Sequence, residues 1–226
     1  GLDNQFTIMV HLGMTGKIVI TGAGKKKYKT SFYYELIDSK SKHDHLILEF
    51  SKNIIFTYND VRKFGFIKIL DKRKLKSNLH LKNLGPEPLG KSFNFKYFKN
   101  YLIDRNRTIK DILMDQKFVS GLGNIYANEV LFLSKVKPTR KTYLIKDREI
   151  HKIIRNIKKT LKSAIFFGGS SLKDFSSSDG KKGKFQQHFH VYGKKGENCS
   201  NKNCSRKILR IVIGNRAAFY CENCQK

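Results

Sequence analysis

Residues 199–226, CSNKNCSRKILRIVIGNRAAFYCENCQK, hold every cysteine of the chain. Cys199 and Cys204 are separated by four residues, Cys221 and Cys224 by two, and sixteen residues lie between the pairs. Two close pairs at this separation can supply four thiolates to one tetrahedral zinc; free or disulfide-paired thiols are the alternative. KILRIVI (207–213) and RAAFYC (216–221) alternate as two strands, and Gly214-Asn215 gives a two-residue turn suited to positive φ. So short a module cannot build a core, and metal–thiolate bonding would supply its folding free energy directly. Sulfur fills all four ligand positions and leaves none open for a catalytic water. The expected cofactor is therefore one structural Zn on Cys199, Cys204, Cys221 and Cys224. Arg216 follows the turn, which puts its guanidinium at the exposed tip, ready for a two-pronged grip on phosphate. A solvated surface arginine is the plainer reading of the same position.

Upstream, apolar residues at spacings of three and four predict helices in FNFKYFKNYLIDRN (93–106), TIKDILMDQ (108–116), NIYANEVLFLSK (124–135) and KDREIHKIIRNIKKTLKSAIFF (146–167). Asp147, early in the last of these, suits the helix dipole. FVSGLGNIYANEV (118–130) joins two of the patterns through Gly121 and Gly123, and Asn124 caps or begins the next helix. Amides at a helix N-terminus form an anion site, although glycine turns before helices also occur with no ligand. Before residue 71 the chain reads as short strands: TIMVHLGM (7–14), GKIVITG (16–22), HLILEF (45–50), NIIFTYND (53–60) and FGFIKIL (64–70). A basic, polar excursion over 22–42 separates the second from the third and reads as a long loop or extended hairpin, solvated or adding non-specific phosphate contacts, with the solvated loop favoured. NLGPEPLGKSF (83–93), with prolines at 86 and 88, reads as a linker.

The net charge of +28 favours a polyanionic partner, nucleic acid first, with an anionic membrane or a ribosome-like assembly as rivals. Lysines outnumber arginines 36 to 10, so part of this charge reflects compositional bias rather than a binding surface. No apolar run reaches the roughly 18 residues of a membrane span, and no secretory signal opens the chain. Cysteines confined to one segment do not make a disulfide framework, which points to a reducing compartment. Residue 1 is glycine, and strand-like sequence starts almost at once, as expected of a fragment or trimmed product.

Six segments in order, HLGMTG (11–16), YNDVRKFGF (58–66), LGPEPL (84–89), LMDQKFVSGLGNIYANEVLF (113–132), GGSSLKDFSSSDGKKGKFQQ (168–187) and RAAFYCENCQK (216–226), resemble formamidopyrimidine-DNA glycosylase. That family removes oxidised purines and cleaves the abasic site. The resemblance implies an α+β multidomain fold: a remnant of an N-terminal β-sandwich over 1–90, a helix-two-turn-helix domain over 91–190 with a lesion-covering loop, and a zinc-ribbon finger over 191–226. It implies that His11, Asn124 and Arg216 contact phosphates around the lesion, and that Met14, Arg62 and Phe64 fill the gap left by an everted nucleotide. It adds His43 and Arg105 as further DNA contacts, Gly169–Phe185 as the loop over the everted base, and Arg216 as a catalytic participant in the final elimination. Unaided, Phe64 reads as strand core, Met14 as packing, and His11 as a buried, satisfied histidine.

The family's chemistry starts with an N-terminal proline amine that attacks the sugar C1′, helped by a glutamate and a lysine. None of the three is among these residues, so the 226-residue chain is expected to bind damaged double-stranded DNA without catalysis. A monomer, cytoplasmic and nucleoid-associated in a bacterium, is the expected setting, with no membrane partner. Two rivals remain: an endonuclease VIII-like glycosylase for oxidised pyrimidines, and a non-catalytic zinc-ribbon nucleic-acid binder. Charge alone supports a third, a chromatin-like structural protein.

Overall fold

A computed structural model describes residues 5–21, 42–170 and 183–226. Most of the 22–42 excursion and of the 169–185 loop lies outside the described residues. The chain divides into two compact units, one formed by 1–78 with 167–186, the other by 79–166 with 187–226.

The first unit is antiparallel β. Its strands are β1 (Phe6–His11), β2 (Gly16–Thr21), β3 (Asp44–Phe50), β4 (Ile54–Asp60) and β5 (Phe66–Asp71). β1 pairs with β5, Phe6 opposite Asp71 and His11 opposite Phe66. A separate three-stranded sheet runs β2-β4-β3, so the sequence neighbours β1 and β2 part into different sheets. Valine, isoleucine and phenylalanine fill these strands because branched and aromatic side chains pack well on a pleated surface. Val19 and Tyr58 are the apolar residues most deeply covered in these strands, and beside Tyr58 two polar residues, Asn59 and Asp60, are also buried.

The second unit holds α1 (Phe95–Leu102), α2 (Ile109–Leu113), α3 (Asn124–Ser134), α4 (Asp147–Phe166), and the hairpin β6 (Leu209–Ile213) and β7 (Arg216–Tyr220). Helices α1, α2 and α4 start where local chemistry favours it. The Asn94 side chain accepts from the Tyr97 amide ahead of α1, and Thr108 accepts from the Asp111 amide ahead of α2. Asp147 and Glu149 place negative charge in the first turn of α4. α3 ends on Lys135 in the left-handed region, closed by amides bonding back to Leu131 and Phe132. Phe93, Phe98, Ile112, Phe118, Leu131, Ile153 and Ile157 belong to one dry core that these helices enclose.

The LGPEPL segment is no slack linker. The Gly85 amide donates to the Gln116 carbonyl at 2.7 Å, and the Ser120 amide donates to the Pro86 carbonyl at 3.1 Å. A Cβ on Gly85 would stand 2.5 Å from the Phe118 carbonyl carbon, so only glycine permits this approach. The prolines stop regular structure while the backbone still docks on the turn before α3.

Candidate functional site

In the β unit, two tight turns lie side by side. The turn 12–15 joins β1 to β2, and the loop 61–65 joins β4 to β5. Gly13 has φ +62°, and a Cβ there would meet the Gly65 amide nitrogen at 2.9 Å. This closeness gathers three predicted residues at one tip. A guanidinium nitrogen of Arg62 lies 3.5 Å from Met14 Sδ, and the Arg62 guanidinium carbon sits 4.6 Å from the centre of the Phe64 ring. Met14 is 52% exposed and Phe64 57%, so neither is core. A thioether, a ring and a cation bunched at an exposed tip make a shape that can enter a stack of bases. His11, at the end of β1, is exposed and lies 5.2 Å from the Phe66 ring; it is not a buried histidine. His43 is half-buried and supplies its carbonyl to the Asp60 amide at 3.0 Å.

In the helical unit, Asn124 is the first residue of α3, behind Gly123 in extended conformation. No acidic residue occupies the first turn, so the positive end of the helix is not neutralised locally. Gln116 shapes the approach: its side-chain oxygen accepts from the Gly121 amide at 2.7 Å and its nitrogen donates to the Leu122 carbonyl. Gly121, at φ +76°, makes the turn that this requires. Arg105 is exposed, folded over the Tyr101 ring at 4.1 Å and donating to the Tyr101 carbonyl.

Arg216 opens β7 at the hairpin tip, exposed, directly after Gly214 and Asn215, both at positive φ. It lines an open cleft of about 490 Å³ with Arg107, Asp111, Asp115 and Gln116. Arg107 is held by Asp115 at 2.6 Å, whereas among the described residues no carboxylate forms an ion pair with Arg216. Three polar residues that sequence reasoning missed fasten this hairpin and the segment entering the cysteine module to the helices. Lys110 Nζ, buried, donates to the Ala217 carbonyl at 2.6 Å. Burial lowers its pKa to about 8; Asp111 opposes that shift and Arg216 adds to it. Asn128 accepts from the Phe219 amide at 2.8 Å and donates to the Asn124 carbonyl at 2.7 Å, linking β7 to the head of α3. Glu129 accepts from the amides of His190, Val191 and Tyr192. An adjacent polar pair in the midst of an otherwise apolar helical stretch was the available signal.

The four cysteine sulfurs lie within 4.8 Å of one another. Cys199 and Cys224 Sγ are 3.8 Å apart, Cys204 and Cys221 Sγ 3.6 Å. Four thiolates at about 2.3 Å from a central zinc would stand about 3.8 Å apart along the edges of a tetrahedron. The arrangement fits a metal-holding cluster. Four thiolates this close repel one another unless a cation sits among them, and a bound ion would supply that charge together with the folding free energy of the module.

Family models described as the formamidopyrimidine-DNA glycosylase N-terminal domain and the formamidopyrimidine-DNA glycosylase H2TH domain match residues 1–67 and 84–176. A formamidopyrimidine-DNA glycosylase of Roseobacter denitrificans is 38% identical over 225 residues, covering 100% of this chain and 78% of the relative. A crystal structure of a Lactococcus lactis Fpg mutant with Fapy-dG containing DNA is similar at TM-score 0.82 and 34% identity, over 98% of this chain and 75% of that one. The wild-type Lactococcus lactis Fpg (MutM) with DNA containing an oxidised pyrimidine is similar at 0.81 and 34%, over 99% and 76%. Two family models across both units and a relative aligned over the whole chain lead to one conclusion: the chain belongs to the formamidopyrimidine-DNA glycosylase family.

Proposed function

We propose that these residues form the lesion-reading part of a bifunctional base-excision enzyme that removes oxidised purines such as 8-oxoguanine and formamidopyrimidines and then cleaves the abasic site. The exposed Met14–Arg62–Phe64 tip carries the reading. An apolar chain and a ring replace lost stacking when a nucleotide leaves the duplex, and a guanidinium can pair with the orphaned base. His11, Asn124 and Arg216 hold phosphates, with His43 and Arg105 as outlying contacts. The proposed metal is one structural zinc on Cys199, Cys204, Cys221 and Cys224; it keeps the Arg216-bearing hairpin in shape and supplies no catalytic water. Arg216 stabilises phosphate charge in the elimination step. The amine that attacks C1′, with its glutamate and lysine, is not among these 226 residues, so they bind damaged duplex without cutting it.

The relative bound to DNA containing an oxidised pyrimidine supports a second, wider reading, in which both lesion classes are substrates. Fluorescence anisotropy with the 226-residue chain tests the core of the proposal. A duplex with a tetrahydrofuran abasic analogue should bind at least about tenfold more tightly than the intact duplex, and Arg216→Ala should lose more of that affinity than Lys162→Ala. Equal affinity for both duplexes would favour a non-specific zinc-ribbon binder. Efficient borohydride capture of an oxoguanine duplex by this chain would show that another amine serves as nucleophile.

A further inference from the structure

Asp60 closes β4 and is fully buried, yet among the described residues no cation forms an ion pair with it, in a chain with 46 basic side chains. A buried carboxylate without a counter-ion is costly unless hydrogen bonds replace its water. Four do. Oδ1 accepts from Thr15 Oγ1 at 2.5 Å and from the Arg62 amide at 3.3 Å. Oδ2 accepts from the Gly65 amide at 2.8 Å and from the Tyr58 hydroxyl at 3.0 Å. The backbone of Asp60 is pinned as well, its amide to the His43 carbonyl and its carbonyl by His45 Nε2 at 2.8 Å.

The donors are not a random set. Thr15 follows Met14; Arg62 and Gly65 bracket the loop that presents Arg62 and Phe64. One carboxylate therefore ties together the two turns that form the exposed tip, and Thr15 Oγ1 adds a direct link by accepting from the Arg62 amide at 3.0 Å. Side chains on tight turns otherwise sample many directions, and ordering them on arrival at DNA would cost affinity. We infer that Asp60 is a positioning residue that presets Met14, Arg62 and Phe64 for entry into the base stack, so that it governs discrimination between damaged and intact duplex rather than general affinity for DNA. This rests on the function proposed above. Charge and burial agree with it. Burial pushes the Asp60 carboxyl up, but the bonds from Thr15, Gly65, Tyr58 and Arg62 outweigh burial and hold it below the ordinary aspartate value. Tyr58 is pushed the other way, to about 12, by burial and then by its bond to the same carboxylate. Gly65 belongs to the device too: a Cβ there would stand 2.0 Å from the Tyr58 hydroxyl and 3.2 Å from Asp60 Oδ2.

The test uses the full 226-residue chain, a tetrahydrofuran-containing duplex, the matching intact duplex, and 2-aminopurine opposite the lesion as a reporter of side chains entering the stack. Asp60→Asn replaces one acceptor by a donor facing other donors. It should cut the preference for the abasic duplex about tenfold and abolish the 2-aminopurine response, while intact-duplex affinity stays within about twofold of wild type. Thr15→Val, which removes one donor on the other turn, should move both readouts in the same direction by a smaller factor, and remains informative where Asp60→Asn fails to fold. If wild type prefers the abasic duplex and Thr15→Val, or a folded Asp60→Asn, keeps that preference and the 2-aminopurine response, the inference is overturned and the proposed function stands. Loss of both affinities together with thermal stability overturns it equally, since that is what a merely structural residue would do. A wild-type chain with no preference sinks the proposed function, and this inference with it.

Discussion

Lys110 is an ammonium-bearing side chain buried under a hairpin strand, where it donates to the Ala217 carbonyl. The burial that lowers its pKa from 10.5 to about 8 makes the charged form costly in the folded state; nearby Asp111 offsets part of that cost, and Arg216 adds to it. The unfolded chain holds its proton up to the ordinary lysine range, so between about pH 8 and 10.5 it binds more protons than the folded one. Stability must then rise with pH across that window and be flat, with the full penalty present, below it. Repulsion among the other lysines also eases at high pH, so the comparison must be with Lys110→Met. We expect the thermal midpoint of wild type, relative to Lys110→Met, to climb from pH 8 to pH 10.5. A constant gap would mean that Lys110 is solvated or otherwise compensated. Nothing at residue scale in the sequence announced this. TIKDILMDQ has the periodicity of a surface helix, and Lys110 sits in it as an ordinary polar position until Ala217, over a hundred residues on, closes over it.

The regular elements were far more legible, and the hairpin shows why. Alternation fixes two strands, the Gly-Asn pair fixes the turn, and both turn residues take positive φ at 52° and 60°. Each of those signals is local. How the hairpin attaches is not. Glu129, one residue of α3, accepts three consecutive amides of the segment entering the cysteine module, and Gln225 donates back to the Val136 carbonyl at 2.9 Å. α3 is buried almost all round, Asn128 and Glu129 included, so its apolar stripe does not stand out and its two polar residues look like a solvent face. Truncating Glu129 to alanine leaves three amides without an acceptor, at about 1–3 kcal/mol for each that stays buried. The expected outcome is hydrogen exchange accelerated by orders of magnitude across 190–226, with protection in α4 far less affected. Chelation should produce the same pattern while leaving the Glu129 contacts chemically intact, because the proposed zinc and the carboxylate would hold opposite ends of one module. Uniform loss of protection in both experiments would mean that the module and the helices unfold as one cooperative body.

At the scale of the whole molecule, the strand pairing β2-β4-β3 apart from β1-β5 could not be read from strand order, since alternation says which residues share a face and not which strand lies alongside. The gathering of Met14, Arg62 and Phe64 was expected only through family resemblance; in physical terms it follows from that pairing, which sets the 12–15 turn against the 61–65 loop. Net charge, by contrast, was legible from composition, and it separates two contributions to binding. The +28 charge attracts any duplex by releasing condensed counterions, a term that ignores lesions. In the function proposed above, the tip would read a gap in stacking, a short-range contact that salt screens little. If about six phosphates are neutralised, affinity for intact duplex should fall roughly a thousandfold between 50 and 200 mM salt, with a logarithmic slope near −0.9 per phosphate. Affinity for the abasic duplex should fall in parallel, because both forms present the same backbone to the same basic surface. The ratio of the two affinities should therefore stay within about threefold across the titration, a difference of well under 1 kcal/mol. A ratio that collapses with salt would place lesion recognition in the phosphate contacts of residues such as His11 and Arg216, and would leave the Met14–Arg62–Phe64 tip a bystander to discrimination.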